Sequence, residues 1–179
     1  MSSLIRTWGT EPHERLLVFP CDRFLESFDD AFYRGITIHA HEDVVFRWLC
    51  QMRVAPYSYD WIDNLGRQSP RQLTPGLEEL EIGQRVMTMF ELVDFVQKEH
   101  LTIRTKMNRP GSGIFGDVAV SYVLVSQRNG GCRLLVKVLV QYPGGLLGRV
   151  MRLLLPWGDL IMMRRQLLNF KKFSEQGLD

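Results

Sequence analysis

The sequence predicts an α+β protein in which one antiparallel β-sheet packs against a long helix near the C-terminal end. Several segments between residues 33 and 142 alternate apolar and polar residues, which is typical of strands with one buried face. From Gly144 to Gln176, apolar residues recur every three or four positions, as they do in an amphipathic helix. Because only one long helix is available to cover the sheet, we expect the sheet to curve around it.

Composition limits the class of protein. The chain has 179 residues, 45% hydrophobic and 23% charged, which fits one soluble domain. We expect residues 1–31 to form an N-terminal extension packed on a single domain of residues 32–179. The net charge of +2 is too small to indicate nucleic acid as a partner. No signal-peptide pattern and no apolar run of the ~20 residues that a membrane span needs is found, so we expect a cytoplasmic monomer or homodimer.

The three cysteines, Cys21, Cys50 and Cys132, are odd in number and widely spaced. This pattern fits neither a disulfide framework nor a zinc site, so we expect three reduced thiols. His39 and His41 lie two positions apart where a strand meets a helix, but no third ligand is evident. We therefore predict no metal site.

A first strand and two short helices are predicted after the extension. Residues 33–40 alternate like a half-buried strand. Glu42 and Asp43 suit the positive end of the helix that follows, and Pro56 ends that helix. A second short helix is predicted over residues 59–65, with a glycine directly after it.

The remaining strands form the predicted sheet. Residues 85–96 favour a strand with a bend or turn near Phe90, which leaves open whether Glu91 or Asp94 points inward. In the last strand one face is expected to meet the terminal helix: Leu134, Val136, Val138, Val140 and Tyr142. Lys137 lies on the opposite face, where we expect an aspartate substitution to be mild.

The terminal helix has a predicted apolar stripe of Leu146, Val150, Leu153, Trp157, Leu160, Met163, Leu167, Phe170 and Phe173. Asp159 is assigned to the opposite, polar side. Pro156 removes one backbone hydrogen bond and clashes with the preceding turn. We therefore predict a short helix to about Leu154, a kink, and a longer helix over residues 157–175.

The same helix carries six basic residues: Arg149, Arg152, Arg164, Arg165, Lys171 and Lys172. These side chains could attract an anionic membrane surface or a lipid head group. A solvated helix face is the more usual explanation of such a pattern, and it is the one we favour.

The segment Gly111–Gly116 has the spacing G-x-G-x-x-G of a dinucleotide-binding loop. That mechanism requires a helix N-terminus directly afterwards, where backbone amides can meet a pyrophosphate. The residues from Asp117 onward alternate like a strand instead. We predict a flexible hairpin loop and no cofactor.

A ligand pocket is predicted from aromatic rings and polar groups that occur close together. Five such residues lie within eight positions: Tyr57, Tyr59, Asp60, Trp61 and Asn64. Pockets for small molecules combine apolar bulk with a few fixed donors and acceptors. The sheet and the terminal helix would add Phe90, Met107, Phe115, Tyr122 and Trp157. The alternative is that Trp61 and one tyrosine belong to the core, while the polar residues solvate a short helix.

Four segments resemble the START-like, or SRPBCC, superfamily, and in particular its bacterial polyketide cyclase/dehydrase-like branch. They are YSYDWIDNLGR at residues 57–67, LEIG at 80–83, FGDV at 115–118 and LIMMRRQL at 160–167. The resemblance covers about residues 33–175. It implies a helix-grip fold, in which a curved antiparallel sheet wraps around a long C-terminal helix. It also implies a cavity for a hydrophobic small molecule.

Three functions follow as hypotheses. The first is binding or carriage of a hydrophobic molecule such as a lipid, a polyketide or an aromatic metabolite. The second is a cyclase or dehydratase, with polar candidates Tyr57, Tyr59, Asp60 and either Arg53 or Arg104. The third is a structural or partner-binding module whose own side chains fill the cavity. An ionisable pair inside the cavity would favour the second hypothesis, and a closed cavity the third.

Overall fold

The computed structural model describes residues 2–59, 61, 66, 68–106, 116–128 and 130–176. Within these residues, six antiparallel strands form one sheet in the order β1-β6-β5-β4-β3-β2. The strands are β1 Asp30–Ile38, β2 Arg85–Val86, β3 Phe90–Val96, β4 His100–Thr105, β5 Asp117–Ser126 and β6 Cys132–Gln141. The helices are α1 Ser2–Thr7, α2 Glu42–Cys50 and α3 Gly145–Glu175, with 3₁₀ turns at Glu14–Leu16, Pro20–Arg23 and Gln51–Arg53. The predicted α+β helix-grip fold is confirmed.

The bend predicted near Phe90 is a tight turn between β2 and β3, followed by a bulge between Leu92 and Asp94. The bulge settles the orientation of the two acidic residues on β3. Asp94 pairs with Arg23 at 2.5 Å and with His100 at 3.1 Å. Glu91 pairs with a lysine of the neighbouring segment at 3.3 Å. Both carboxylates therefore have partners of their own outside the core.

The predicted register of β6 is confirmed. Val136, Val138 and Val140 belong to the main core, together with Leu167 and Phe170 of α3. We call this the inner face of the sheet, and we call the opposite side the outer face. The alternating pattern placed these side chains correctly because a strand has a strict two-residue period.

The outer face is buried as well, and the sequence had not indicated that the N-terminal extension would cover this surface. Leu135 and Leu139 form a second apolar cluster with Phe19, Cys21 and Leu25 of the N-terminal segment. This segment, residues 9–28, therefore covers the back of the sheet. The strand β1 begins at Asp30, two positions before the predicted start of the domain.

Lys137 shows the consequence of this cover. Its side chain is only 9% exposed, and its Nζ lies 2.6 Å from a carboxylate oxygen of Asp22. An aspartate at this position would place two carboxylates together in a buried site. The substitution is therefore expected to be costly rather than mild, because the residue faces a packed segment rather than water.

The terminal helix differs from its prediction in two ways. It is one continuous helix of 31 residues with Pro156 inside it, not two helices separated at the proline. A helix can continue through a proline when the loss of one backbone hydrogen bond is compensated by packing, and Pro156 is buried. The face turned towards the sheet also differs in the first half. Trp157 is 50% exposed, whereas the side chain of Asp159 is only 11% exposed.

The first predicted helix is confirmed as α2. His41 precedes it, and its ring accepts a hydrogen bond from the backbone of Asp43 at 3.4 Å. Of the second predicted helix, most residues lie outside the described residues. Trp61 is helical and is 75% exposed.

Candidate functional site

A cavity of about 320 Å³ lies between the inner face of the sheet and α3. Its walls are mostly apolar. The sheet contributes Phe32, Ile103, Val118, Val120, Val138 and Val140, and the helix contributes Leu155, Gly158, Met162 and Met163. Met87, Met89, Phe90 and Pro56 complete the apolar lining. Methionine side chains are flexible and polarisable, so this lining can adapt to ligands of different shape.

The charged group of the lining is Asp159 on α3. The Nη2 atom of Arg34 donates a hydrogen bond to Asp159 Oδ2 at 2.5 Å, and Arg34 is completely buried. Arg34 comes from β1, and its guanidinium carbon lies 5.7 Å from the ring centre of Phe32. The helix and the first strand are thus joined by a buried ion pair at the edge of the cavity.

This ion pair is poorly solvated. Burial raises the pKa of Asp159 to about 6, although the positive charge of Arg34 opposes the rise. Burial also lowers the pKa of Arg34, against the effect of Asp159. The Nε of Arg34 is buried without a hydrogen-bond partner among the described residues. A carboxyl group whose pKa is raised by burial in an apolar cavity is a common feature of functional sites.

A second polar group of the cavity is the hydroxyl of Tyr122. It donates a hydrogen bond to Gln166 Oε1 at 2.9 Å, and Gln166 Nε2 donates to the carbonyl of Pro56 at 2.6 Å. Burial raises the pKa of Tyr122, and the charge of Asp159 adds to the effect. Tyr122 therefore remains protonated and can serve as a hydrogen-bond donor or acceptor.

The predicted pocket residues are only partly brought together. Phe90 and Tyr122 line the cavity. Tyr57 is buried beside Trp48 and Phe170, outside the cavity lining, at ring-centre distances of 5.9 and 5.7 Å. Tyr57 also lines a separate polar cavity of about 120 Å³.

Other predicted pocket residues lie elsewhere. Tyr59 stacks under the guanidinium of Arg165 at 5.9 Å. Trp61 and Trp157 are 75% and 50% exposed, and neither belongs to the cavity lining. Four further predictions lie outside the described residues: Asp60, Asn64, Met107 and Phe115. A role of these residues in ligand binding stays a prediction.

The arginines named for a catalytic role do not reach the cavity. Arg53 donates hydrogen bonds to the carbonyls of Leu77 and Glu79 at 3.2 and 3.1 Å, so it holds a surface loop. Arg104 is bound to Asp117 by two hydrogen bonds on the outer face. Both arginines have structural partners, and neither lines the cavity.

Arg34, Asp159 and Gln166 were missed. A signal for Arg34 existed, because it has the same parity in its strand as Phe32 and Ile38. A charged residue at an inward position of a strand indicates a buried partner. Asp159 and Gln166 had no comparable signal, since the first half of α3 is apolar on several sides.

The described part of the chain offers little support for a metal or nucleotide site. Within it, no group of three His, Cys, Asp or Glu side chains could hold a metal ion. Most of the Gly111–Gly116 loop lies outside the described residues, and the strand β5 begins directly after it. The three cysteines are buried free thiols. None of the described helices combines the length and apolar character needed to cross a membrane.

No protein-family model matches the chain, and no curated protein matches it. Several solved structures do match the chain in fold. Hypothetical protein jhp0584 from Helicobacter pylori has a TM-score of 0.56 at 13% identity, over 88% of this chain and 95% of that one. Protein MLL2253 from Mesorhizobium loti has a TM-score of 0.53 at 10% identity, over 82% and 98%.

DynU16, a protein in the dynemicin biosynthetic locus, has a TM-score of 0.51 at 16% identity. The match covers 83% of this chain but only 48% of DynU16, so the chain spans about half of that protein's length. At identities this low, the likeness shows the shared helix-grip fold and does not by itself show a shared activity.

Proposed function

We propose that the protein binds a hydrophobic small molecule between the sheet and α3. The observation that carries this proposal is the apolar cavity of about 320 Å³. Known ligand pockets measure about 300–1,000 Å³, with apolar walls and a few fixed polar groups. The volume is at the small end of this range, which favours a compact ring system over a long acyl chain.

The polar groups narrow the class of ligand. Asp159 and Tyr122 offer a carboxyl and a hydroxyl group to an otherwise apolar space. We infer that the ligand carries a hydroxyl group that donates a hydrogen bond to Asp159. The START-like resemblance supports a polyketide or aromatic metabolite. The protein's own side chains leave this cavity open, which argues against the alternative of a purely structural module.

The first experiment is a titration of the native protein with an apolar fluorescent probe, anilinonaphthalene sulfonate. Val138→Phe places a ring in the cavity and should abolish saturable binding while the protein stays folded. Val125→Phe, at a site 42% exposed near the end of β5, is the matched control and should bind like the wild type. Equal binding by both variants would contradict the proposal. In a separate experiment, native mass spectrometry of the purified protein would identify a co-purified ligand.

A cyclase or dehydratase is the second candidate, and the buried pair of Asp159 and Arg34 favours it. Ionised Asp159 could take a proton from the carbon beside a ligand carbonyl, leaving an enolate whose charge Arg34 would help to stabilise. Because the pKa of Asp159 is raised to about 6, this activity should increase as the pH rises through that value.

The test of this candidate is deuterium exchange at the methyl group of acetophenone in heavy water, followed by NMR. The wild type should accelerate exchange, and Asp159→Asn should not, although both bind the fluorescent probe. Exchange that is equally fast with both proteins, or with no protein, would refute the catalytic role and leave the binding proposal standing.

A further inference from the structure

The first half of α3 presents apolar side chains to the outside of the molecule. Their exposed fractions are Leu146 76%, Leu147 44%, Val150 42%, Leu153 72%, Leu154 62%, Trp157 50% and Ile161 52%. We call these seven residues the α3 outer surface. They extend over about 22 Å at 1.5 Å per residue. A continuous apolar strip of this length is unusual on a monomer and indicates an interaction site.

The exposed charges that α3 itself places beside this strip all have one sign. Four arginines flank it: Arg149, Arg152, Arg164 and Arg165. The sequence has a single acidic residue between positions 145 and 174, which is Asp159. Asp159 is bound to Arg34, and its side chain is only 11% exposed. Arg152 is 52% exposed even though it pairs with Asp29 at 2.8 Å. The helix therefore offers an apolar strip with cationic flanks and no exposed carboxylate of its own.

These features favour one kind of partner. An amphipathic helix that lies in a membrane interface has aromatic and aliphatic residues towards the lipid and arginines beside them. Anionic head groups attract such arginines, at about 1 kcal/mol each near the surface. A symmetric pair of two copies would instead bring the same arginines face to face, where they repel.

We propose that α3 docks its outer surface onto an anionic membrane surface. The helix lies on the membrane and does not cross it. The opposite side of the same helix, with Leu155, Gly158 and Met162, lines the cavity. A docked helix would thus hold the cavity next to the lipid. The inference goes beyond the proposed function and does not depend on it, because it rests on the outward side of α3.

The experiment is co-sedimentation of the full chain with two kinds of vesicle: phosphatidylcholine alone, and phosphatidylcholine mixed with phosphatidylglycerol. Leu146→Gln with Leu153→Gln removes two of the most exposed apolar residues without touching the core. The matched control is Leu16→Gln with Val18→Gln, at residues 84% and 88% exposed in the N-terminal segment. To test the role of charge, Arg149→Glu is compared with Arg128→Glu. Arg128 lies in the hairpin between β5 and β6.

The wild type should bind the mixed vesicles and bind phosphatidylcholine weakly. The double leucine variant should bind at least about tenfold more weakly, and Arg149→Glu on the order of fivefold to tenfold more weakly. Both controls should match the wild type. All variants should keep their fluorescent-probe binding, which separates this result from the cavity.

Three results would overturn the proposal. The wild type could fail to prefer the mixed vesicles. The two control variants could lose binding as strongly as the α3 variants. Alternatively, light scattering could reveal a dimer that the double leucine variant dissociates, with no vesicle binding. In that case the α3 outer surface would belong to a contact between two copies.

Discussion

The two faces of the sheet each bury an aspartate paired with an arginine, and the two carboxyl groups behave in opposite ways. Asp117 is on the outer face, and Asp159 of α3 meets the inner face. Burial opposes ionisation of Asp117, but hydrogen bonds from Arg104 and Thr105 outweigh it and lower the pKa. Burial raises the pKa of Asp159 to about 6 despite Arg34.

The difference lies in the number of partners. Asp117 receives two hydrogen bonds from Arg104 and a third from Thr105 at 2.9 Å. Among the described residues, Asp159 receives one hydrogen bond, from Arg34, and an apolar cavity lies beside the Asp159 carboxyl group. A fully bonded carboxylate keeps its charge at little cost, whereas a poorly bonded one is destabilised.

The same contrast holds for the two faces as a whole. On the outer face, the Ser121 hydroxyl accepts a hydrogen bond from the Cys21 backbone at 2.8 Å and contacts Thr102 at 2.9 Å. On that face, Arg133 binds Glu14 at 2.7 Å. Polar groups there hold the N-terminal segment in place. The inner face leaves space and an under-bonded ion pair, and this arrangement supports the ligand binding that we propose.

The largest effect is expected at Lys137. Lys137→Asp would set a second carboxylate beside Asp22 in a buried site, and it should cost about 3–5 kcal/mol of unfolding free energy. Urea denaturation measures this loss. Exchanging the charges, with Asp22→Lys and Lys137→Asp together, should recover much of it. A loss below about 1 kcal/mol for the single variant would mean that the outer face is not sealed.

The two aspartates should have opposite effects on the pH dependence of stability. The lowered pKa of Asp117 contributes stability that is present above pH ~4 and is lost as the pH falls through the folded value. The raised pKa of Asp159 does the reverse. Its folded form gains a proton as the pH falls from about 6 towards 4, so stability from this group rises in that window.

The measurement compares the unfolding free energy of wild type, Asp159→Asn and Asp117→Asn at pH 7 and at lower pH. The difference in unfolding free energy between Asp159→Asn and wild type should shift by about 3 kcal/mol in favour of the variant between pH 4 and pH 7. The shift follows from a pKa difference of about two units between folded and unfolded Asp159. Asp117→Asn should become less unfavourable as the pH falls. Parallel profiles for the two variants would remove the distinction between the faces.

The smallest effects come from neighbouring residues of β5 that point to opposite sides. Ala119 is fully buried on the outer face against the N-terminal segment. Ala119→Leu should overpack that cluster and cost about 1–3 kcal/mol. Val120→Phe points into the cavity and should cost less than about 1 kcal/mol, because empty space receives the ring. Thermal unfolding of both variants decides this, and a larger loss for Val120→Phe would contradict an open cavity.

The sequence alone determined the fold class and most of the inner face. The strands of the sheet have a two-residue period that fixes which side chains share a face, so Val136, Val138 and Val140 were placed correctly. In the second half of α3, Leu167 and Phe170 were also placed correctly, since polar residues mark the other side. Local patterns of this kind need no knowledge of distant parts of the chain.

Only the tertiary structure decided the cover of the outer face and the charged group of the cavity. Lys137 is buried because Asp22, far away in sequence, supplies a carboxylate. Asp159 points inward because Arg34 of β1 meets it, while the strongly apolar first half of α3 gave no unique periodicity. Both outcomes depend on pairs of residues that are more than a hundred positions apart. A periodic pattern within one element cannot contain that information.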